Sequence, residues 1–323
     1  MNRNRSFLHR TAVFIFLAVS ILSGYQTTVR AQDEAPQLTV GSKSIQEGIL
    51  LGKLMIGALQ QKGFKVIDRT GMGKTDDLRK ALQSGDIDIY PEYTGTAGLF
   101  FPEVEQSVWK DSKAGYETAR RLDEEKNGII WLTPASADNS WVIAVTRDLA
   151  EQGITSLPKF ATFIHGGGKV TLASLKELIQ RSDGLPAFAK AYQFELGESQ
   201  VVAIDQRQPG EPPAVPPTDF NALLTLGSSA QIAGWDMVVL EDPAKVPMVF
   251  RPTPITRRDL FAQYGQKIDE ALGPVFKSLD MATLIRLNTR VVVEKISPDV
   301  VAADYLKEIT APAKPVDPPA VSH

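Results

Sequence analysis

The chain has no cysteine in its 323 residues. No disulfide can form and no thiolate can serve as nucleophile or metal ligand, so a chain of this size must rely on packing alone. Histidine is nearly as scarce: of three, only His165 and the terminal His323 lie beyond residue 31. Such a set supplies neither the usual ligands of zinc nor the base of a hydrolytic triad. The run His165-Gly166-Gly167-Gly168 looks like an oxyanion loop, but no Gly-x-Ser-x-Gly elbow accompanies it. Gly71-Met72-Gly73-Lys74-Thr75 looks like the end of a phosphate-binding loop, but Asp68 stands where that pattern needs its first glycine. The formal net charge is −3, so the basic footprint of a nucleic-acid binder is absent. Beyond residue 31 no apolar run approaches membrane-spanning length.

What is present begins with a leader. Arg3, Arg5 and Arg10 precede the apolar run Ala12 to Leu22, and Val29-Arg30-Ala31 offers a small-residue cleavage site. Residues 1–31 therefore read as a secretory signal peptide, with Tyr25 where a lipoprotein would need its cysteine. The expected product is periplasmic and not lipidated. Removing the leader takes four arginines and no acid, which carries the net charge from −3 to −7. Roughly 290 residues remain, enough for one large or two ordinary domains, and 43% apolar residues can fill their cores. Prolines 312, 315, 318 and 319 mark residues 311–323 as an unfolded tail.

The chain is organised around residues 85–97. Ile87 and Ile89 alternate with Asp86 and Asp88 at strand period, and Pro91 is expected to end the strand. Tyr93, Thr94 and Thr96 around Gly95 then put an aromatic face and two hydroxyls on one turn, at the edge where open α/β sheets bind ligands. Upstream, Leu38-Thr39-Val40 reads as a strand, and Ser44 and Glu47 have the spacing of a capping box for an amphipathic helix stopped at Gly63. A strand over 64–67 and a helix over 75–85 follow, and this alternation predicts a parallel sheet covered by helices. Lys43 falls at the carboxyl end of its strand as Tyr93 does, so one crevice can be shared by both. Farther on, strands over 129–132 and 141–145 flank a loop with Pro134 and Asp138-Asn139-Ser140, as expected of a chain crossing between lobes. Arg181-Ser182-Asp183-Gly184-Leu185-Pro186 breaks a helical pattern, and its arginine can present two donors to a carboxylate or pair with Asp183.

Four runs taken together, Val40 to Glu47, Gly71 to Thr75, Asp88 to Thr96 and Arg181 to Pro186, resemble the substrate-binding proteins of osmoprotectant ABC importers. Leu240-Glu241-Asp242, Pro254-Ile255-Thr256-Arg257 and Leu287-Asn288-Thr289-Arg290-Val291 extend the resemblance from about Leu38 to Ile309. It implies a type II periplasmic binding protein fold, two α/β lobes with a hinge and an interlobe cleft. Lobe 1 would take residues 38–138 and 251–310, lobe 2 residues 139–250. The family's ligands are glycine betaine, carnitine and choline. By analogy Tyr93, Trp141 and Phe250 would wall an aromatic cage, the last two replacing the usual tyrosines. Lys43, Thr96 and Arg181 match the positions that hold a ligand carboxylate. The resemblance implies no catalysis and no cofactor, a membrane permease as partner and a monomeric protein; a sensor component, a binder of a different small amine or carboxylate, and an exported enzyme on the same fold are the other readings. The family pattern fails near 205–230, where Phe220 is expected in the core, as is Trp235.

Overall fold

The computed structural model describes residues 35–204 and 218–311. The expected leader, the Pro-rich run within 205–217 and all but the first residue of the expected tail lie outside the described residues.

Four strands open the chain: β1 (Gln37–Lys43), β2 (Lys65–Gly73), β3 (Ile89–Tyr93) and β4 (Ile129–Trp131). Five follow in a second sheet: β5 (Trp141–Thr146), β6 (Leu172–Leu175), β7 (Val201–Ile204), β8 (Ala222–Leu226) and β9 (Met237–Val239). The chain then returns, and β10 (Pro252–Arg257) completes the first sheet in the order β2-β1-β3-β10-β4, against β7-β6-β8-β5-β9 in the second.

Both sheets are covered on both faces, which is why their strands read as apolar runs. Strand period sends neighbouring residues to opposite sides: Ile89 and Tyr90 enter different apolar clusters, as do Ile143 and Ala144 in the second sheet. The helix Gln46–Gln61 lays Leu50, Leu51, Leu54 and Met55 onto the first sheet, all fully buried. Each sheet with its helices forms an α/β lobe. Helices Arg258–Ser278, Met281–Val292 and Pro298–Thr310 close the chain against the first lobe, and Met281–Val292 also meets the helix Ala230–Gly234 of the second.

Three local expectations are corrected. The sheets are mixed, because β10 runs antiparallel to β3 and β4, and β5 antiparallel to β8 and β9. In each case the reversed strand is the one that enters from the other lobe. Pro91 does not end β3; it lies inside it, facing Pro254 of β10. Thr94 N donates to Arg251 O, and Pro254 O accepts from Leu132 N on the β4 side, so Pro91 and Pro254 form a non-hydrogen-bonded pair. Pro91 thus turns its missing N–H toward β1, whose pairing with β3 reaches only Ile89. Finally, Ser44 and Glu47 form no capping box: the N-cap is Ile45, without a side-chain bond, and Glu47 is buried elsewhere. Gly71 to Gly73 simply finish β2, with Ser44 N bonded to Gly73 O at 2.9 Å.

Candidate ligand-binding site

Two segments carry the chain between lobes, and they lie hydrogen-bonded side by side. Asn139 N donates to Phe250 O at 3.0 Å, Phe250 N to Asp138 Oδ1 at 2.8 Å, and Ser140 Oγ to Met248 O at 2.6 Å. The exit of β3 joins them: Thr94 Oγ1 donates to Val249 O at 2.8 Å and accepts from Arg251 N at 3.0 Å. Gly95 is required there, since a Cβ would stand 2.8 Å from Val249 O and 2.9 Å from the Phe250 ring. Phe250 therefore rests directly on the backbone of the turn that follows Tyr93.

From this junction a row of rings and cations extends both ways. On the second-lobe side Phe250 meets Trp141, the first residue of β5, with ring centroids 6.3 Å apart and planes inclined by 53°. The Arg181 guanidinium lies over the Trp141 ring, 5.4 Å from its centroid. Arg181 sits where the helix Lys176–Gln180 has ended and before Leu185–Tyr192 begins. Its Nε and Nη2 donate to the two oxygens of Asp183 at 2.8 and 2.7 Å, and Nη1 donates to Glu177 at 3.0 Å. The hydrogen bond from Arg181 holds the Asp183 carboxyl below the usual carboxylate range, against partial burial, and the Trp141 indole N–H adds to it weakly. That N–H is buried and makes no well-formed hydrogen bond.

On the first-lobe side Lys43 Nζ stands 5.0 Å from the centroid of the Tyr93 ring and donates to Glu92 Oε1 at 2.5 Å. Glu92 is fully buried and also accepts from Tyr93 N and the Tyr90 hydroxyl. An ammonium has three N–H groups and a guanidinium five, so both cations keep donors beyond those their acids occupy. Thr96 is buried in the turn one residue past Gly95.

Beneath Tyr93 lies a carboxylate that sequence reasoning misassigned. Glu47 accepts from Tyr93 Oη at 2.7 Å, Asn139 Nδ2 at 2.8 Å, Asn288 Nδ2 at 2.7 Å and the Ser228 hydroxyl. Burial pushes the Tyr93 phenol well above its ordinary pKa, and the Glu47 charge adds to this, so the phenol stays protonated and donates. The signal was present: Glu47, Leu50, Leu51 and Leu54 share one buried helix stripe, where an acid needs partners. The pairing of Arg181 with Asp183 is the one the sequence offers as an alternative to a ligand carboxylate, whereas Glu92, the acid that holds Lys43, reads in the sequence only as part of its motif.

The structure thus brings Arg181, Trp141 and Phe250 into one row of contacts, seats Phe250 on the turn after Tyr93, and sets Lys43 over the Tyr93 ring. Phe220 and Trp235 stay outside it; they pack edge to face at 5.3 Å against a small cluster of the second lobe. Among the described residues no helix is long and apolar enough to cross a membrane.

Known proteins share this architecture. Residues 36–308 match the family described as the substrate binding domain of ABC-type glycine betaine transport systems. The glycine betaine-binding protein YehZ of Escherichia coli is 39% identical over 278 residues, spanning 85% of this chain and 91% of YehZ. A glycine-betaine-binding protein of Pseudomonas aeruginosa is 27% identical over 282 residues, 85% of this chain and 88% of that protein. The solved structure of apo YehZ from Escherichia coli superposes with a TM-score of 0.73 at 37% identity, covering 85% of this chain and 99% of YehZ. The two lobes are accordingly those of a periplasmic binding protein, and the chain belongs to the substrate-binding family of ABC-type glycine betaine transport systems.

Proposed function

We propose that the chain captures a quaternary-ammonium osmolyte of the glycine betaine, carnitine or choline class outside the cytoplasm and delivers it to an ABC permease. The supporting observation is that Tyr93 and Trp141 each hold a cation at cation–π distance, 5.0 and 5.4 Å, with Phe250 beside Trp141. These faces suit a trimethylammonium group, which has no N–H and a diffuse charge; each ring contributes about 0.5–2 kcal/mol as water leaves. In this reading a ligand carboxylate takes the spare donors of Lys43 and Arg181, with Thr96 alongside, and each such bond adds roughly 1.5–3 kcal/mol before solvent screening. Together they offset the association cost and leave binding near micromolar, about −8 kcal/mol. No bond of the ligand is made or broken. Residues 38–138 with 251–310 and residues 139–250 act as the two closing bodies, hinged where Asp138–Ser140 and Met248–Arg251 lie together.

Calorimetric titration of residues 32–323 with glycine betaine, carnitine, choline and proline tests this. Micromolar binding of a carboxylated betaine supports cage and clamp together, and tight choline with weak betaine keeps the cage and removes the clamp. No heat from any of the four overturns the ligand class.

A further inference from the structure

Glu47 joins four separate pieces of the molecule through one carboxylate. Its donors lie 46, 92, 181 and 241 positions away along the chain. Tyr93 ends β3 in the first lobe, Asn139 belongs to the first crossing segment, Ser228 follows β8 in the second lobe, and Asn288 lies on the helix that touches both lobes. An ionised carboxylate offers about four lone-pair sites, so this shell is complete without a cation. Glu47 also stands in the first turn of a 16-residue helix, where the helix dipole favours its charge.

The second-lobe side is seated just as closely. Ser228 N donates to Asn139 Oδ1 at 3.2 Å, the one Ser228 hydroxyl proton lies between Glu47 and that same oxygen, 2.6 Å from Oγ, and Asn288 Nδ2 donates to Ser228 O at 3.0 Å. Gly227 N donates to Ser140 O at 2.8 Å, and a Cβ at Gly227 would lie 3.0 Å from Asp138 O. Glu47 moves with the first lobe because its helix is packed into that lobe's core. Rotation of the second lobe about the crossing segments would draw Ser228 away and leave buried Glu47 Oε2 with Asn288 Nδ2 alone, one donor short in a buried shell, which makes intermediate angles unfavourable.

We propose that Glu47 is a positioning residue that acts as an interlobe latch: its carboxylate sets the lobe angle and the orientation of the Tyr93 ring together. The effect on ligand affinity rests on the function proposed above; the effect on lobe angle does not. Because the chain has no cysteine, Lys80→Cys and Lys190→Cys, at exposed sites on the helices Thr75–Ser84 and Leu185–Tyr192, can carry a pair of spin labels and no others. The distance distribution is measured by pulsed electron resonance in the parent, in Ser228→Ala and in Glu47→Gln, first without ligand and then with glycine betaine, alongside thermal melts. Ser228→Ala should keep a cooperative melt, broaden the ligand-free distribution and raise the Kd for glycine betaine about tenfold. Glu47→Gln sets an amide among four donors and can fail to fold, so Ser228→Ala decides. An unchanged distribution in Ser228→Ala, even with a lowered melting temperature, overturns the latch and leaves Glu47 a structural group only. If the parent shows no betaine binding, the ligand reading falls, and the ligand-free distances still decide the latch.

Discussion

The two ends of the aromatic row use the same parts in different solvents. Lys43 over Tyr93 is paired with Glu92, with side chains 12% and 0% exposed; Arg181 over Trp141 is paired with Asp183, 39% and 37% exposed. At the first end both charges have left water, so each depends on the other and on the Tyr90 hydroxyl and Tyr93 N–H that complete the shell of Glu92. At the second end water screens the pair, and the arginine can leave its carboxylate at little cost. The first end is a fixed wall, and the second is the adaptable one.

Removing one partner at the buried end breaks this comparison most severely. Glu92→Ala leaves the Lys43 ammonium without its acid and should lower stability by about 3–5 kcal/mol, read as a shift in the urea midpoint. A loss below about 1 kcal/mol would place Lys43 in effective contact with solvent. Next comes the ring at the open end. Trp141→Ala should weaken glycine betaine and choline alike by at least about tenfold in Kd, near 1.4 kcal/mol, since both carry the methylated ammonium.

Arg181→Ala should act more selectively, costing glycine betaine roughly tenfold and choline, which has no carboxylate, about twofold or less. Equal losses of choline binding in the two variants would contradict these roles. The smallest effect concerns pH. The Asp183 carboxyl titrates below its ordinary value in the folded chain, so its stabilisation is complete above the unfolded pKa and is lost as pH falls through the folded one. Asp183→Asn should therefore cost under about 1 kcal/mol at pH 7, a gap that closes below the ordinary Asp pKa of about 3.9. A gap that persisted at pH 2 would assign it to packing.

The sequence is most legible where one local rule governs. The apolar stripe from Leu50 to Leu54 and the break between Gln180 and Leu185 each announce an element the structure contains, and the alternation at Ile87 and Ile89 announces β3, although that strand starts only at Ile89 and runs on to Tyr93. It is least legible where partners come from afar. Pro91 reads locally as a strand end, and only the register with β10 shows that its missing donor falls on the unpaired side. Glu47 reads as half of a capping box because Asn139, Ser228 and Asn288 are distant in the chain. The same contrast separates the cations: Arg181 finds its acid two residues on, a pair the sequence offers, while Lys43 is held by Glu92, 49 residues away, which the sequence does not reveal.

The reversed strands also fix an order of assembly. A chain made and exported from its amino end completes β1 to β4 early, yet the first sheet lacks the strand that joins β3 to β4 until β10 arrives, after every strand of the second sheet. Until then the edge of β3 that carries Tyr90, Glu92 and the Tyr93 turn stands open to any passing strand, and the pairing that closes it joins residues about half the chain apart. The turn after Tyr93 is thus among the first parts to be synthesised and among the last to be held in place, so an exported chain depends on reaching its carboxyl-terminal third before a neighbour claims that edge.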